Sequence, residues 1–141
     1  MATDEVGVDA ATIAAALRGE SRPAERLVAA VRTAAEPHVA IDQVAAAAAD
    51  GSTPALELLL RLIDDGGLAR PAVRRLIVEP ASVDDVVQET MIAVAERIGS
   101  FRGDSRFTTW LHQVARFKAI DFLRRQRDAV SIDGDDVVPT D

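Results

Sequence analysis

The feature that most constrains the fold is a segment without glycine or proline in which a helix of about 22 residues is predicted to begin at Ser105 or Arg106. No segment of the chain shows sustained alternation of apolar and polar residues, whereas helical spacing is frequent. The chain is therefore predicted to be all-α, with one long helix near its C-terminus. That helix would carry an apolar arc of Phe107, Trp110, Leu111, Val114 and Phe117, and a polar arc of Arg106, Thr109, Gln113, Arg116, Arg124 and Arg127.

The composition restricts the chain to one compact domain, with or without an extension. Its 141 residues are 48% hydrophobic, which is enough for a single core. Cysteine is absent, which excludes disulfide bonds and thiolate metal sites. The N-terminus carries Asp4 and Glu5 where a signal peptide needs a basic flank, and no apolar run approaches the roughly 18 residues of a membrane span. We therefore expect a cytoplasmic protein with no membrane partner.

The sequence lacks the components of an enzyme site. The two histidines, His38 and His112, have no cysteine or His-Glu spacing near them, and no glycine-rich phosphate loop is present. The pair Asp64-Asp65 stands beside two glycines and is typical of a solvated turn rather than a metal site. We expect no catalytic residue, no bound metal and no cofactor.

Turn and cap residues divide the rest of the chain into shorter helices. Proline suits the first turn of a helix, and glycine is common just after its end. The clearest start is a capping box with Ser82 as the N-cap and Asp85 three residues later. The other predicted helices are Ala10–Leu17, a helix from about Pro23 to Ala35, Ile41–Ala49, a helix through Leu56 and Ile63 capped by Ser52 or Thr53, and a helix from Pro71 through Ile77 that Glu79-Pro80 ends.

The helix that starts at Ser82 has two distinct faces. One face is apolar and predicts ordinary core packing through Val83, Val87, Thr90, Met91, Val94 and Ile98. The opposite face surrounds the apolar Ile92 with Asp85, Gln88, Glu89 and Glu96. A solvated face and a docking face for a basic partner helix both fit this pattern.

A basic and aromatic segment lies between acidic flanks. All five aromatic residues fall between Phe101 and Phe122, and residues 99–127 carry seven basic groups against two acidic ones, in a chain of net charge −7. Every base offers a π-face for stacking and every linkage offers a phosphate, so this combination suits single-stranded nucleic acid. A basic helix whose aromatic rings are simply core fits the composition equally well.

Several blocks of the sequence together resemble one known family. They are Asp84-Asp85-Val86-Val87-Gln88-Glu89-Thr90, Ser100-Phe101-Arg102-Gly103-Asp104-Ser105, Thr109-Trp110-Leu111, Val114-Ala115-Arg116 and Leu123-Arg124-Arg125. In this order and at this spacing they resemble conserved region 2 of bacterial extracytoplasmic-function (ECF) sigma factors, over about residues 42–128. The resemblance implies a compact helical bundle that serves as part of a promoter-specificity subunit of bacterial RNA polymerase.

The resemblance also assigns partners to the two charged surfaces. Polymerase-binding residues, which would contact the clamp helices of the β′ subunit, are implied at Asp84, Asp85, Gln88, Glu89 and Ile92. The following loop would capture an unstacked base of the non-template strand at the −10 promoter element, and basic side chains would hold phosphates. The implied DNA-binding residues are Phe101, Arg102, Gly103, Asp104, Ser105, Arg106, Thr109, Gln113, Arg116, Phe117, Lys118, Arg124 and Arg127.

The chain departs from the family pattern in two respects. Phe117 stands where the family commonly has asparagine, which removes a polar contact or adds a stacking surface. The second domain of such factors, region 4, has no counterpart before Asp141, so we expect a fragment that ends in an acidic linker, residues 129–141. A helical extension of unassigned function is expected at residues 1–40, before a region 2 domain at 41–128. Such factors often have an anti-sigma factor as a further partner.

A regulatory protein-interaction module is the alternative function. It would bind a protein partner through the face from Asp85 to Glu96 without contacting DNA, and its basic helix would simply be solvated. Salt-sensitive binding of single-stranded −10-like DNA would separate the two hypotheses.

Overall fold

The computed structural model describes residues 9–33 and 37–133, with side chains described up to residue 130. Every regular element in these ranges is helical, which confirms the all-α prediction. None of the helices described is long and apolar enough to cross a lipid bilayer. In chain order the helices are α1 (Ala10–Leu17), α2 (Ser21–Arg32), α3 (His38–Ala49), α4 (Thr53–Asp64), α5 (Arg70–Arg74), α6 (Pro80–Arg97) and α7 (Phe107–Asp133), and a 3₁₀ turn (Ile98–Ser100) follows α6.

Local side chains set several of the helix starts. Ser52 caps α4, because its hydroxyl oxygen accepts a hydrogen bond from the Ala55 N–H at 3.2 Å, as the sequence predicts. Asp9 caps α1 in the same way, with the Thr12 N–H at 2.9 Å. This hydrogen bond stabilises the carboxylate and lowers the pKa of Asp9 below its ordinary value.

Several predicted helix boundaries differ from the structure, and α3, for example, begins at His38 rather than Ile41. The prediction that Ser82 is the N-cap of a capping box was wrong, because α6 begins at Pro80. Ser82 lies inside the first turn of the helix, where its buried hydroxyl donates to Glu79 Oε1 at 2.8 Å. The fixed φ of a proline suits that first position, and Glu79 before it is extended. Helix α5 ends at Arg74 rather than beyond Ile77. Helix α2 begins at Ser21 and ends at Arg32, and its predicted end at Ala35 lies outside the described residues.

One core joins the helices. Helix α3 packs against α4 and α7, and α6 packs against α7. The largest side chains at its centre are fully buried, among them Phe107, Leu111, Leu59 and Ile41. The alanine-rich helices α1 and α2 pack against each other and against α4, and they contribute Leu27 and Val28 to the same core. Residues 10–32 therefore rest on the α3–α4 side, away from the α6–α7 pair.

Gly66 permits the close approach of α2 to the end of α4. A β-carbon at this position would overlap the Leu62 carbonyl oxygen and press on the Val31 side chain. Only glycine avoids both contacts, so the pair Gly66-Gly67 serves packing as well as the turn that the sequence predicts.

Candidate functional site

Helix α6 has the two faces that its sequence predicts. Val83, Val87 and Val94 are buried in the core, and the buried hydroxyl of Thr90 donates to the Val86 carbonyl at 2.8 Å. On the other face Asp85 and Gln88 are exposed, and Ile92 leaves 58% of its surface in solvent. An isoleucine this exposed among polar side chains is the feature that a docking face would show.

Two of the acidic residues on α6 are already engaged within the molecule. Arg70 of α5 donates to Asp84 at 2.6 Å, and Arg125 of α7 donates to Glu89 at 2.8 Å. Asp85 and Gln88 make no such side-chain contact within the described residues. The residues that remain available on this face are therefore Asp85, Gln88, Ile92 and Glu96.

The loop between the 3₁₀ turn and α7 is anchored by an aromatic cluster. The Phe101 ring is only 8% exposed and lies edge-on to Phe107, with ring centroids 5.7 Å apart. Trp110 packs on both rings, at 5.5 Å from Phe101 and 5.7 Å from Phe107. The buried Phe101 ring therefore anchors the loop to the core, and residues 102–106 of the loop are exposed to solvent.

A carboxylate from a distant helix fixes the start of α7. Asp42 of α3 accepts a hydrogen bond from the Phe107 backbone N–H at 2.8 Å. This N–H is one of the donors that have no partner within their own helix, and a negative charge here is attracted by the positive end of the helix dipole. Asp42 thus connects α3 to the point where the loop becomes α7.

A cavity of about 450 Å³ opens between this loop and α3. The loop contributes Phe101, Arg102, Gly103 and Ser105 to its wall. Gly103 has a φ of +80°, a conformation that side-chain-bearing residues rarely adopt, so glycine suits this turn. Helix α3 contributes Val39, Asp42, Gln43, Ala46, Ala49 and Asp50.

The polar arc of α7 carries basic groups without internal partners. Within the described residues, Arg125 is the one cation of this helix that forms ion pairs. Arg102 and Arg106 in the loop form none among those residues. Arg125 contacts both Glu89 and Asp121, and its guanidinium lies 5.9 Å from the Phe122 ring centroid. The helical cations without a partner are Arg116, Lys118, Arg124 and Arg127.

The apolar arc predicted for α7 was wrong at one residue. Phe107, Leu111 and Val114 are buried, but Phe117 is 60% exposed, on the same side of the helix as Gln113 and Arg124. The core instead covers Ala115 and Ala119. Of the aromatic side chains on this helix, Trp110 packs in the core as expected, and Phe117 offers a ring to solvent.

The contribution of α3 was missed by sequence reasoning. Asp42, Gln43 and Asp50 form much of the cavity wall, yet none belongs to a motif that the sequence displays. Asp42 and Phe107 are 65 residues apart in the chain. Their meeting follows from the packing of α3 on α7, and no local sequence signal points to it.

Comparison with known proteins agrees with this architecture. The family model described as Sigma-70 region 2 matches residues 66–129. The ECF RNA polymerase sigma factor SigF of Caulobacter vibrioides is 42% identical over 55 residues, which are 39% of this chain and 31% of that protein. The ECF RNA polymerase sigma-E factor of Escherichia coli K12 is 45% identical over 49 residues, which are 35% of this chain and 26% of that protein. No solved structure matches the chain significantly.

The segment that matches Sigma-70 region 2 includes α5, α6 and most of α7. Over the matched segments the chain is similar to ECF sigma factors. The matched segments span about a third and about a quarter of the lengths of those two relatives.

Proposed function

We propose that the protein is a promoter-specificity subunit of a bacterial RNA polymerase, and that this domain contacts both the polymerase and the −10 promoter element. The observation that carries the proposal is the separation of two charged surfaces on adjacent helices. Helix α6 exposes acidic and amide groups around Ile92, and α7 exposes cations that have no partner in the described residues. A factor that links polymerase to DNA needs one surface for each partner.

The loop cavity is the proposed receptor for an unstacked base of the non-template strand. Its volume of about 450 Å³ and its position beside the exposed loop suit a single flipped base. Asp42, Gln43 and Asp50 supply hydrogen-bond acceptors, and carboxylates accept from exocyclic amino groups such as N4 of cytosine. We therefore expect the cavity to prefer cytosine or adenine to thymine.

The surface of α7 is proposed to hold the strand around that base. Arg106, Arg116, Lys118, Arg124 and Arg127 would contact phosphates, since these cations have no ion pair within the described residues. Arg102, Thr109 and Gln113 are exposed along the same surface, and Phe117 offers a ring on which a neighbouring base can stack. Unstacking one base costs a few kcal/mol, and stacking on a ring returns roughly 1–3 kcal/mol per base. Capture of this kind can open DNA without a chemical fuel.

The exposed face of α6 is proposed to dock on the basic β′ clamp helices. Ile92 would provide the apolar anchor, while Asp85 and Gln88 would pair with polar and basic groups around it. Asp84 and Glu89 would join this surface while bound to Arg70 and Arg125, so we expect their contributions to be smaller.

Fluorescence anisotropy with a labelled single-stranded −10-like oligonucleotide tests the DNA half of the proposal. Binding should weaken as salt rises, and Arg116→Ala should reduce both the affinity and the salt dependence, because one phosphate contact is lost. Binding that ignores both salt and Arg116→Ala would favour the module that contacts only protein.

Base selection is tested with oligonucleotides that differ at one position. An oligonucleotide with cytosine or adenine at the captured position should bind more tightly than one with thymine, and Asp50→Ala should reduce the preference. Asp64→Ala removes the same charge from the exposed end of α4 and serves as the control. Equal affinity for all bases in the unsubstituted chain would contradict the assignment of the cavity.

A pull-down with a β′ clamp-helix fragment tests the polymerase half. The double variant Gln88→Ala, Ile92→Asp should lose binding, because it removes an amide and places a charge in the apolar contact. Val130→Asp adds the same charge near the end of α7, at a residue that is 59% exposed and outside the proposed α6 surface, so this variant should still bind. Retention of the fragment by the double variant would place docking elsewhere.

A further inference from the structure

The walls of three cavities on the described part of the chain differ in charge. The loop cavity has two carboxylates, Asp42 and Asp50. A cavity of about 380 Å³ between α5 and α6 has the guanidinium groups of Arg70 and Arg74 and one carboxylate, Asp84, which is paired with Arg70. A third cavity of about 310 Å³, between α5 and α7, has two guanidinium groups and no carboxylate in its wall.

The third cavity, the α5–α7 cleft, presents donors that are not used inside the molecule. Arg75 lies on its α5 side and Arg116 on its α7 side; both are exposed, and neither forms an ion pair within the described residues. The hydroxyl of Thr109 and the amide of Gln113 line the same cleft and likewise make no side-chain hydrogen bond there. Two cations that share a concave wall without a counter-charge create a positive potential, which an anion relieves.

A polar contact between the two sides fixes the position of the cleft. The His112 Nε2 atom lies 3.3 Å from the Leu68 carbonyl oxygen, just before α5 begins. The contact holds α7 to the segment that leads into α5. Arg75 and Arg116 therefore face a common cleft whose walls are tied together, rather than projecting from independent surfaces.

We infer that the α5–α7 cleft binds a phosphate group between Arg75 and Arg116. Guanidinium groups match the oxygen geometry of phosphate, and hydroxyl and amide donors supply further hydrogen bonds to it. The inference rests on the proposed function, because Thr109, Gln113 and Arg116 also belong to the DNA surface of α7. It adds Arg75, which extends that surface across the cleft to a second helix, where a backbone phosphate of the bound strand would lie.

Neighbouring arginines on α5 allow a matched test. Arg74 and Arg75 are both exposed, but Arg74 lines the α5–α6 cavity, which contains the carboxylate of Asp84, and not the α5–α7 cleft. Arg75→Gln and Arg74→Gln remove the same charge one residue apart, so a general electrostatic effect would be equal in both. Binding of a single-stranded −10-like oligonucleotide is measured by anisotropy across a range of salt concentrations. Arginine Nε–Hε NMR resonances are followed while inorganic pyrophosphate is added.

We expect Arg75→Gln to weaken oligonucleotide binding and to reduce the slope of log K against log salt by about 0.7, the value for one phosphate contact on a single strand. Arg74→Gln should leave the slope nearer that of the unsubstituted chain. Pyrophosphate should shift the Arg75 and Arg116 resonances together and leave Arg74 in place.

The two measurements separate the possible failures. If pyrophosphate shifts Arg75 and Arg116 but Arg75→Gln does not change oligonucleotide binding, the cleft takes a free phosphate rather than a DNA phosphate. If no oligonucleotide binds while pyrophosphate still shifts both resonances, the proposed DNA function fails and the phosphate site stands. If the two glutamine variants bind DNA equally and pyrophosphate shifts neither Arg75 nor Arg116, the inference is overturned.

Discussion

Helices α6 and α7 pack side by side, yet they differ in how many of their charged side chains are paired within the molecule. On α6, two carboxylates of the exposed face, Asp84 and Glu89, are bound to arginines of other helices. Of the cations on α7 and the loop before it, only Arg125 is held in ion pairs within the described residues. The difference shows that the number of charges alone does not identify a binding surface. The charges left without an internal partner are those that an external ligand can use at least cost.

Two phenylalanines on α7 give the largest contrast between a structural and a surface role. Phe107 is fully buried and supports the loop, whereas Phe117 is 60% exposed. Phe107→Ala should lower the free energy of unfolding by about 3–5 kcal/mol, because it leaves a cavity at the centre of the core. Phe117→Ala should change it by no more than about 0.5 kcal/mol. Urea denaturation followed by circular dichroism measures both.

The same two variants should rank differently in DNA binding. Phe117→Ala should weaken binding of a single-stranded oligonucleotide while the fold is intact, and Phe117→Trp should retain it, because a larger ring can still stack. If Phe117→Ala proves as destabilising as Phe107→Ala, the residue is part of the core and its assignment to the DNA surface fails.

The next largest effect on stability is expected at Asp42 of α3, whose carboxylate caps the start of α7. Asp42→Ala should cost about 0.5–2 kcal/mol of stability, since the Phe107 N–H loses its acceptor. Asp50→Ala on the same helix removes an equal charge that accepts no such hydrogen bond in the described residues, so it should be nearly neutral. Thermal unfolding compares the two variants. Equal stability of the Asp42 and Asp50 variants would show that the cap contributes nothing.

These cases indicate which parts of the molecule the sequence could predict. The start of α4 was predicted correctly because Ser52 and Pro54 act on residues within one turn. The contact of Asp42 with Phe107 could not be predicted, because it depends on how α3 packs against α7. Phe117 was assigned to the apolar arc because large side chains define that arc, whereas the core turns toward the small Ala115 and Ala119.

The two faces of α6 were more predictable than the cavities. A helical repeat of 100° per residue separates Val87 and Val94 from Ile92 without any tertiary information. A cavity, by contrast, is formed by segments far apart in the chain, and its walls are known only once the helices are packed. For this reason the loop residues could be anticipated, while Gln43 and Asp50 could not.

Adjacent arginines on α7 test the comparison with a smaller effect. Arg124 has no ion pair in the described residues, and Arg125 is bound to Glu89 and Asp121. Arg125→Ala should cost less than about 1 kcal/mol of stability, because these ion pairs are exposed to solvent, and it should change DNA binding little. Arg124→Ala should leave stability unchanged and should reduce the salt dependence of binding. A larger loss of DNA binding in Arg125→Ala than in Arg124→Ala would show that internal ion pairing does not predict which cation contacts DNA.

The smallest effect is expected at Asp9, which caps α1 and tests whether this helix is independent of α6 and α7. The hydrogen bond from Thr12 lowers the pKa of Asp9, so the folded chain holds this carboxylate charged more firmly than the unfolded chain does. Stabilisation from the cap is therefore present above the ordinary pKa of an aspartate and is lost as the pH falls through the lowered value.

An NMR titration of the Asp9 carboxyl carbon should give a midpoint below that of an unstructured aspartate, with fraying of α1 over the same pH range. Asp9→Asn should cap α1 without this pH dependence, because its amide oxygen accepts the same hydrogen bond and does not titrate. Equal fraying of α1 in both chains as the pH falls would show that the Asp9 charge has no part in holding the helix. If the α7 resonances also moved with the Asp9 titration, α1 and the proposed DNA surface would be coupled through α3 or α4, the helices on which α1 packs.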